Sequence, residues 1–187
     1  YDKDHHVLEG EPDLLNLRYD KDTIIINHLN KCLLTCDCNY AKAETIVPKM
    51  DVLALQEVDQ ILLYQLHYHF GAFYHIYDNL NPERTAGGEY SINEEAYVPD
   101  GVALLVNKEK YKPLDVSSSV FINFGRGYRG ILVPFIKQVP GEDIVVFGSF
   151  HMPNSYTTID PNPNLLKIIG HINEIFAPLG AQHMLAI

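Results

Sequence analysis

The chain has 187 residues, with 14 Lys and Arg against 24 Asp and Glu, so its formal net charge is −10 with nine neutral His. Its 47% hydrophobic and 20% charged residues are ordinary globular composition, which excludes a disordered or low-complexity polymer. The acidic balance argues against broad electrostatic binding of nucleic acid, and no apolar run approaches the roughly 20 residues of a membrane span.

The predicted elements begin with a polar stretch, residues 1–22, which we expect to form an arm before a domain of residues 23–187. A β-branched run at residues 23–26 predicts a buried strand that ends at Asn27. Residues 39–47 are typical of a short helix.

A second buried strand is predicted over residues 51–57, where the run is apolar until Gln and Glu close it. Apolar spacing predicts a helix at residues 61–69 that Gly71 can end. The chain then returns as a strand at residues 73–77. Turn residues and acidic side chains in residues 78–100 predict a long loop.

The remaining chain predicts a meander of strands followed by the clearest helix. Asn162 suits its N-cap, Pro163 its first position and Gly180 its end. The predicted strands cover residues 101–106, 120–124, 131–138, 144–150 and 183–187. Many strands with interspersed helices indicate an α/β (α+β) protein with two packed sheets.

Three cysteines, Cys32, Cys36 and Cys38, lie within seven residues, a spacing too short for a disulfide framework. With His28 they could supply four soft ligands to a tetrahedral zinc. The alternative is that they are small buried residues on one helical face. Free thiols are compatible with the cytoplasm, and no signal peptide is visible, but the compartment stays open.

Polar residues that follow apolar strands are candidates for chemistry, because strand ends present side chains to ligands. Glu57 could supply a hard oxygen ligand to magnesium. His151 could protonate or stabilise a phosphoryl oxygen, and Asn27 and Asn154 could donate to phosphate without adding charge. The alternatives are a solvated Glu, a structural His and Asn residues that favour turns.

Arg126 and Arg129 lie in a glycine-rich turn, residues 125–130. A guanidinium there could clamp a phosphate, although an arginine in a turn is usually solvated. Both interpretations stay open at this stage.

Residues 48–58, PKMDVLALQEV, resemble the "pDVlaLQEv" element of the endonuclease/exonuclease/phosphatase superfamily, the deoxyribonuclease-I-like fold. Residues 101–106, followed by residues 108–111, resemble its "GvailyrkskF" strand, and residues 145–154, VVFGSFHMPN, resemble its "vvntHlp" strand. Residues 24–27, IIIN, match the opening strand that ends in the family's Asn. The resemblance implies a four-layer α-β-β-α sandwich of two mixed sheets.

The resemblance also implies roles for the four strand-end residues. Glu57 falls on the family's metal-binding glutamate, which would hold Mg²⁺, or Mn²⁺ instead of Mg²⁺. His151 falls on its first catalytic histidine, Asn27 on the active-site Asn, and Asn154 on a phosphate contact. The family's Gly-Asp-x-Asn and Ser-Asp-His motifs are not in the printed chain, so we expect these residues alone to hold a partial fold and to be weak or inactive.

The function predicted from the resemblance is magnesium-dependent phosphoester hydrolysis by a nuclease, a phosphatase or a phosphodiesterase. The substrate class stays open between nucleic acid, an inositol phosphate and a phospholipid head group, because a fold does not fix a substrate. The alternative function is a non-catalytic binding or scaffold protein on the same fold. The sequence does not indicate an oligomeric state.

Overall fold

A computed structural model gives the fold of this chain and describes residues 14–37, 45–81, 101–125, 128–138, 141, 143–152 and 163–183. The helices are α1 (Leu14–Leu33), α2 (Gln60–Phe70) and α3 (Pro163–His171), the last continued by a π turn (Ile172–Phe176) and a 3-10 turn (Ala177–Leu179). The strands are β1 (Leu34–Asp37), β2 (Thr45–Pro48), β3 (Val52–Gln56), β4 (Tyr74–Leu80), β5 (Gly101–Asn107), β6 (Tyr111–Pro113), β7 (Val120–Gly125), β8 (Tyr128–Lys137), β9 (Ile144–Phe150) and β10 (Gln182–His183).

The described strands form two main sheets and a small antiparallel pair, β1–β2. The first sheet has the order β3-β5-β4 and is antiparallel throughout. The second has the order β10-β9-β8-β6, with β7 also paired to β8. Because β10 runs parallel to β9 and the other pairs are antiparallel, this second sheet is mixed.

Three apolar clusters separate four layers. The first cluster joins α1 and α2 to one face of the first sheet, the second lies between the sheets, and the third joins the second sheet to α3. Leu66 is a buried member of the first cluster, Phe135 of the second and Ile168 of the third. The predicted four-layer α-β-β-α sandwich is therefore confirmed, in partial form, over the described residues.

Helix α2 shows how local sequence sets an element. The side chain of Asp59 accepts a hydrogen bond from the backbone N–H of Leu62 at 2.7 Å, which satisfies a donor that the first helical turn leaves open. Gly71 closes the helix with its N–H bonded to the carbonyl of His67. The predicted helix and its stop at Gly71 are confirmed.

The strand predicted at residues 23–26 is wrong, because these residues lie inside α1. Ile26, Leu29 and Leu33 are buried and recur at helical spacing, so one helical stripe joins the apolar run to residues after it. A short β-branched run does not by itself separate a strand from a buried helix turn. Helix α1 also passes through the boundary predicted between residues 22 and 23.

The helix predicted over residues 39–47 is contradicted at its end, where Thr45–Pro48 form β2 and pair with β1. Residues 39–44 of that predicted helix lie outside the described residues, as do residues 82–100 of the predicted loop and Asn162. Residues 78–80 of the predicted loop belong to β4 instead. None of the described helices is long and apolar enough to cross a membrane.

Candidate functional site

Two of the predicted strand-end residues meet where the two sheets end together. Glu57 follows β3 in the first sheet, and His151 follows β9 in the second. The Oε1 atom of Glu57 lies 3.2 Å from Nδ1 of His151. The Glu57 side chain is 40% exposed and that of His151 is 19% exposed, so the pair is open to solvent from the carboxylate side.

The backbone at Glu57 adopts a left-handed conformation with φ of +56°, the one positive φ at a non-glycine residue in the described chain. Such a conformation costs roughly 1–3 kcal/mol and clusters at functional sites. The next residue anchors the segment, because the N–H of Val58 donates to the carbonyl of Gly101 at 3.1 Å. The turn thus aims the carboxylate at the second sheet at a local cost in stability.

His151 is held by its neighbours on β8. Its backbone N–H donates to the carbonyl of Arg129 at 2.9 Å, which extends the β8–β9 ladder by one residue. Its ring packs edge-to-face on Tyr128, with centroids 5.0 Å apart. The Nδ1 atom is buried and within ion-pair distance of Glu57, but the angle is not that of a hydrogen bond.

Polar side chains tie the two sheets together beside this pair. The buried Ser149 hydroxyl donates to the carbonyl of Leu55 at 3.0 Å, which links β9 to β3. The amide of Asn79 on β4 donates to the carbonyls of Gly130 at 2.8 Å and Ile122 at 3.3 Å. These bonds fix the two strand ends relative to each other, which a two-residue site requires.

Arg129 is buried at 8% exposure, so the interpretation of a solvated turn residue is wrong for it. Sequence reasoning missed its surroundings, because Asn123 meets it only through the β7–β8 pairing and Asn81 is 48 residues away along the chain. Its Nη1 atom donates to Oδ1 of Asn123 at 2.8 Å, and its Nη2 atom to Oδ1 of Asn81 at 3.3 Å. Arg126 lies outside the described residues.

The two predicted Asn residues have different outcomes. Asn27 lies on an exposed position of α1, so the strand end on which its role rested does not exist. The buried residues of this part of α1 belong to the first apolar cluster, so Asn27 lies on a helix and not at the end of a strand. Asn154 lies outside the described residues, and its contact with phosphate stays a prediction.

The described residues hold no group of three or more His, Cys, Asp or Glu side chains that could bind an ion. Cys38 lies outside the described residues, so the zinc site stays a prediction. His28 and Cys32 do approach each other, with Nε2 and Sγ 3.6 Å apart on exposed α1. A half-exposed carboxylate such as Glu57 fits magnesium, which takes one or two carboxylates plus water and substrate oxygens.

Comparison with known proteins identifies the fold. No protein-family model and no curated protein sequence matches this chain. Among solved structures, humanized D. rerio TDP2 with 14 mutations matches with a TM-score of 0.51 and 13% identity, over 85% of this chain and 54% of that one. The human Nocturnin catalytic domain with bound sulfate matches with a TM-score of 0.52 and 15% identity, over 84% of this chain and 52% of that one.

Both solved structures belong to the endonuclease/exonuclease/phosphatase superfamily. The resemblance stated from the Leu-Gln-Glu element and its companions is therefore confirmed at the level of the fold. The present chain spans about half the length of these two chains.

Proposed function

We propose that this protein is a phosphoester hydrolase that uses magnesium, or manganese in its place, with Glu57 and His151 at its active site. The fold of this chain supports the proposal, because it is the fold of phosphoester-hydrolysing enzymes. The observation that carries it is the 3.2 Å contact of Glu57 with His151, which brings a carboxylate and an imidazole from two sheets to one opening. We extend the proposal to Asn154 as a phosphate contact.

Glu57 would hold the metal ion. Its carboxylate is the hard anionic donor that magnesium prefers, and its exposure leaves room for water and substrate oxygens. When bound, the ion supplies Lewis-acid stabilisation of negative charge on the phosphoryl group. The strained backbone at Glu57 is consistent with this role, because strain is retained where geometry matters more than local stability.

His151 would act on the phosphoryl oxygen through its other ring nitrogen. With Nδ1 directed at Glu57, Nε2 is the atom that can donate a proton or hydrogen bond to substrate. Packing on Tyr128 and the backbone bond to Arg129 hold the ring, so little reorganisation is needed as charge develops.

The test is hydrolysis of bis(4-nitrophenyl) phosphate and 4-nitrophenyl phosphate, with and without magnesium, by the protein expressed from its complete gene. Glu57→Gln keeps the shape but removes the anionic oxygen, so the metal-dependent rate should fall at least 100-fold, about 2.7 kcal/mol of transition-state stabilisation. His151→Ala should lower kcat more than it raises KM.

Matched controls exist elsewhere on the surface. Glu109→Gln changes an exposed carboxylate at the β5–β6 turn, and His67→Ala removes an exposed ring on α2, so both should keep wild-type rates. Full magnesium-dependent activity of Glu57→Gln would refute the metal assignment. A wild-type protein that cleaves neither ester and binds no divalent ion would be a non-catalytic binding protein instead.

A further inference from the structure

A cleft of about 390 Å³ lies between β4 and the β7–β8 end of the second sheet. Arg129 in its lining is a neighbour of the Glu57–His151 pair, because its carbonyl accepts the N–H of His151 across the β8–β9 ladder. Its lining residues are Asn79, Leu80, Phe121, Ile122, Asn123 and Arg129.

Arg129 is the charged residue in that lining, and its hydrogen-bond partners among the described residues are all neutral. Its Nη1 atom donates to Oδ1 of Asn123 and to the carbonyl of Tyr128, and its Nη2 atom donates to Oδ1 of Asn81. The ion pairs among the described residues join Lys110 to Asp51 and His151 to Glu57, so no described carboxylate pairs with Arg129.

Burial removes the water that solvates a free guanidinium, and neutral partners make up only part of the free energy that is lost. Amide oxygens recover part of that loss and fix the plane of the guanidinium. A guanidinium has five N–H donors in a planar fork, which matches two oxygens of a phosphoryl group. The whole chain, Arg129 included, carries a net charge of −10, so the guanidinium makes this cleft a local site for an anion on an acidic protein.

We propose that the cleft is an anion subsite in which the guanidinium of Arg129 binds a phosphoryl group of the substrate, beside the group that Glu57 and His151 act on. This deepens and rests on the proposed phosphoester hydrolysis. Asn123 and Asn81 position the guanidinium, and the exposed Phe121 at the rim offers an apolar surface to the uncharged part of the substrate.

The decisive variant is Asn123→Asp. It places a carboxylate 2.8 Å from Nη1 in the shape of the native amide, and Oδ1 can still accept the N–H of Gly125. The variant should therefore fold while it neutralises the guanidinium. Asn173→Asp is the matched control, because it adds the same charge at an exposed position of the outer helical layer.

The measurement is isothermal titration of the protein with inorganic phosphate in EDTA, so that no metal contributes to binding. Wild type and Asn173→Asp should bind phosphate with equal affinity. Asn123→Asp should bind at least 10-fold more weakly, a change of about 1.4 kcal/mol. Equal affinity of Asn123→Asp and wild type, or a wild type that binds no phosphate, would overturn the proposal.

Arg129→Lys is the second variant and decides the matter if Asn123→Asp does not fold. It keeps the positive charge but loses the planar fork, so phosphate affinity should fall several-fold; unchanged affinity would overturn the proposal. The titration needs no turnover. Phosphate binding by Arg129 in a protein that cleaves no ester would therefore refute the hydrolase proposal and leave the anion subsite standing.

Discussion

The left-handed backbone at Glu57 predicts that the site is held at a measurable cost in stability. Glycine adopts a positive φ without steric penalty, whereas a residue with a Cβ pays for it. We expect Glu57→Gly to be more stable than Glu57→Ala. Both variants remove the carboxylate and its contact with His151, so their difference isolates the backbone at φ +56°.

The magnitude follows from the balance of two terms. Removing left-handed strain gains roughly 1–2 kcal/mol, and the greater freedom of glycine in the unfolded chain returns about 0.5–1 kcal/mol of it. The Gly variant should therefore exceed the Ala variant by about 1 kcal/mol. For a domain of this size that corresponds to a Tm difference of about 2–4 °C.

The assay is urea or thermal unfolding of both variants at pH 7, without divalent ions. The same pair of changes at Gln56, an exposed position within β3, is the control, and there alanine should be the more stable of the two because glycine weakens a strand. A Glu57→Ala variant as stable as Glu57→Gly would refute the argument, since the backbone at residue 57 would then carry no strain.

Two further predictions concern buried polar groups. Ser149→Ala should lower the free energy of unfolding by about 1–2 kcal/mol, because the carbonyl of Leu55 loses its hydrogen bond between the sheets; a denaturant midpoint equal to that of wild type would contradict this. Burial raises the pKa of Asp78, and this effect exceeds the opposing effects of His67 and of a backbone hydrogen bond. The folded state therefore binds the proton more tightly than the unfolded chain does, and it loses stability as pH rises through and above the ordinary carboxyl range. Asp78→Asn should therefore raise Tm at pH 7 and should show little gain near pH 3, as thermal melts at the two pH values would show; an equal gain at both would contradict the assignment.

The sequence alone determined the strands that are continuous apolar runs and the residues that end them. Residues 52–55 and 144–147 are such runs, and each is too short for a buried helix and too apolar for a loop. Because a polar side chain directly after a buried strand must emerge at a sheet end, Glu57 and His151 could be selected before any coordinates were considered.

Local sequence did not determine α1. The run that contains Ile24 and Ile26 suits a strand by composition, but Ile24 is 69% exposed in a helix whose stripe of Ile26, Leu29 and Leu33 packs with α2. The choice depends on a cluster assembled from distant segments, and intrinsic propensities are too small to oppose it. The strand predicted to end at Asn27 is wrong for this reason, and the role of Asn27 itself stays a prediction.

Tertiary structure alone decided the approach of Glu57 to His151 and the burial of Arg129. The first depends on how one sheet stacks on the other, and the second on the β7–β8 register that sets Asn123 opposite Arg129. Neither relation is encoded in the spacing of neighbouring residues. Side chains meet across sheets only after the backbone ladders and the apolar clusters have fixed the strands, so the chemistry of this site is a property of the packed layers.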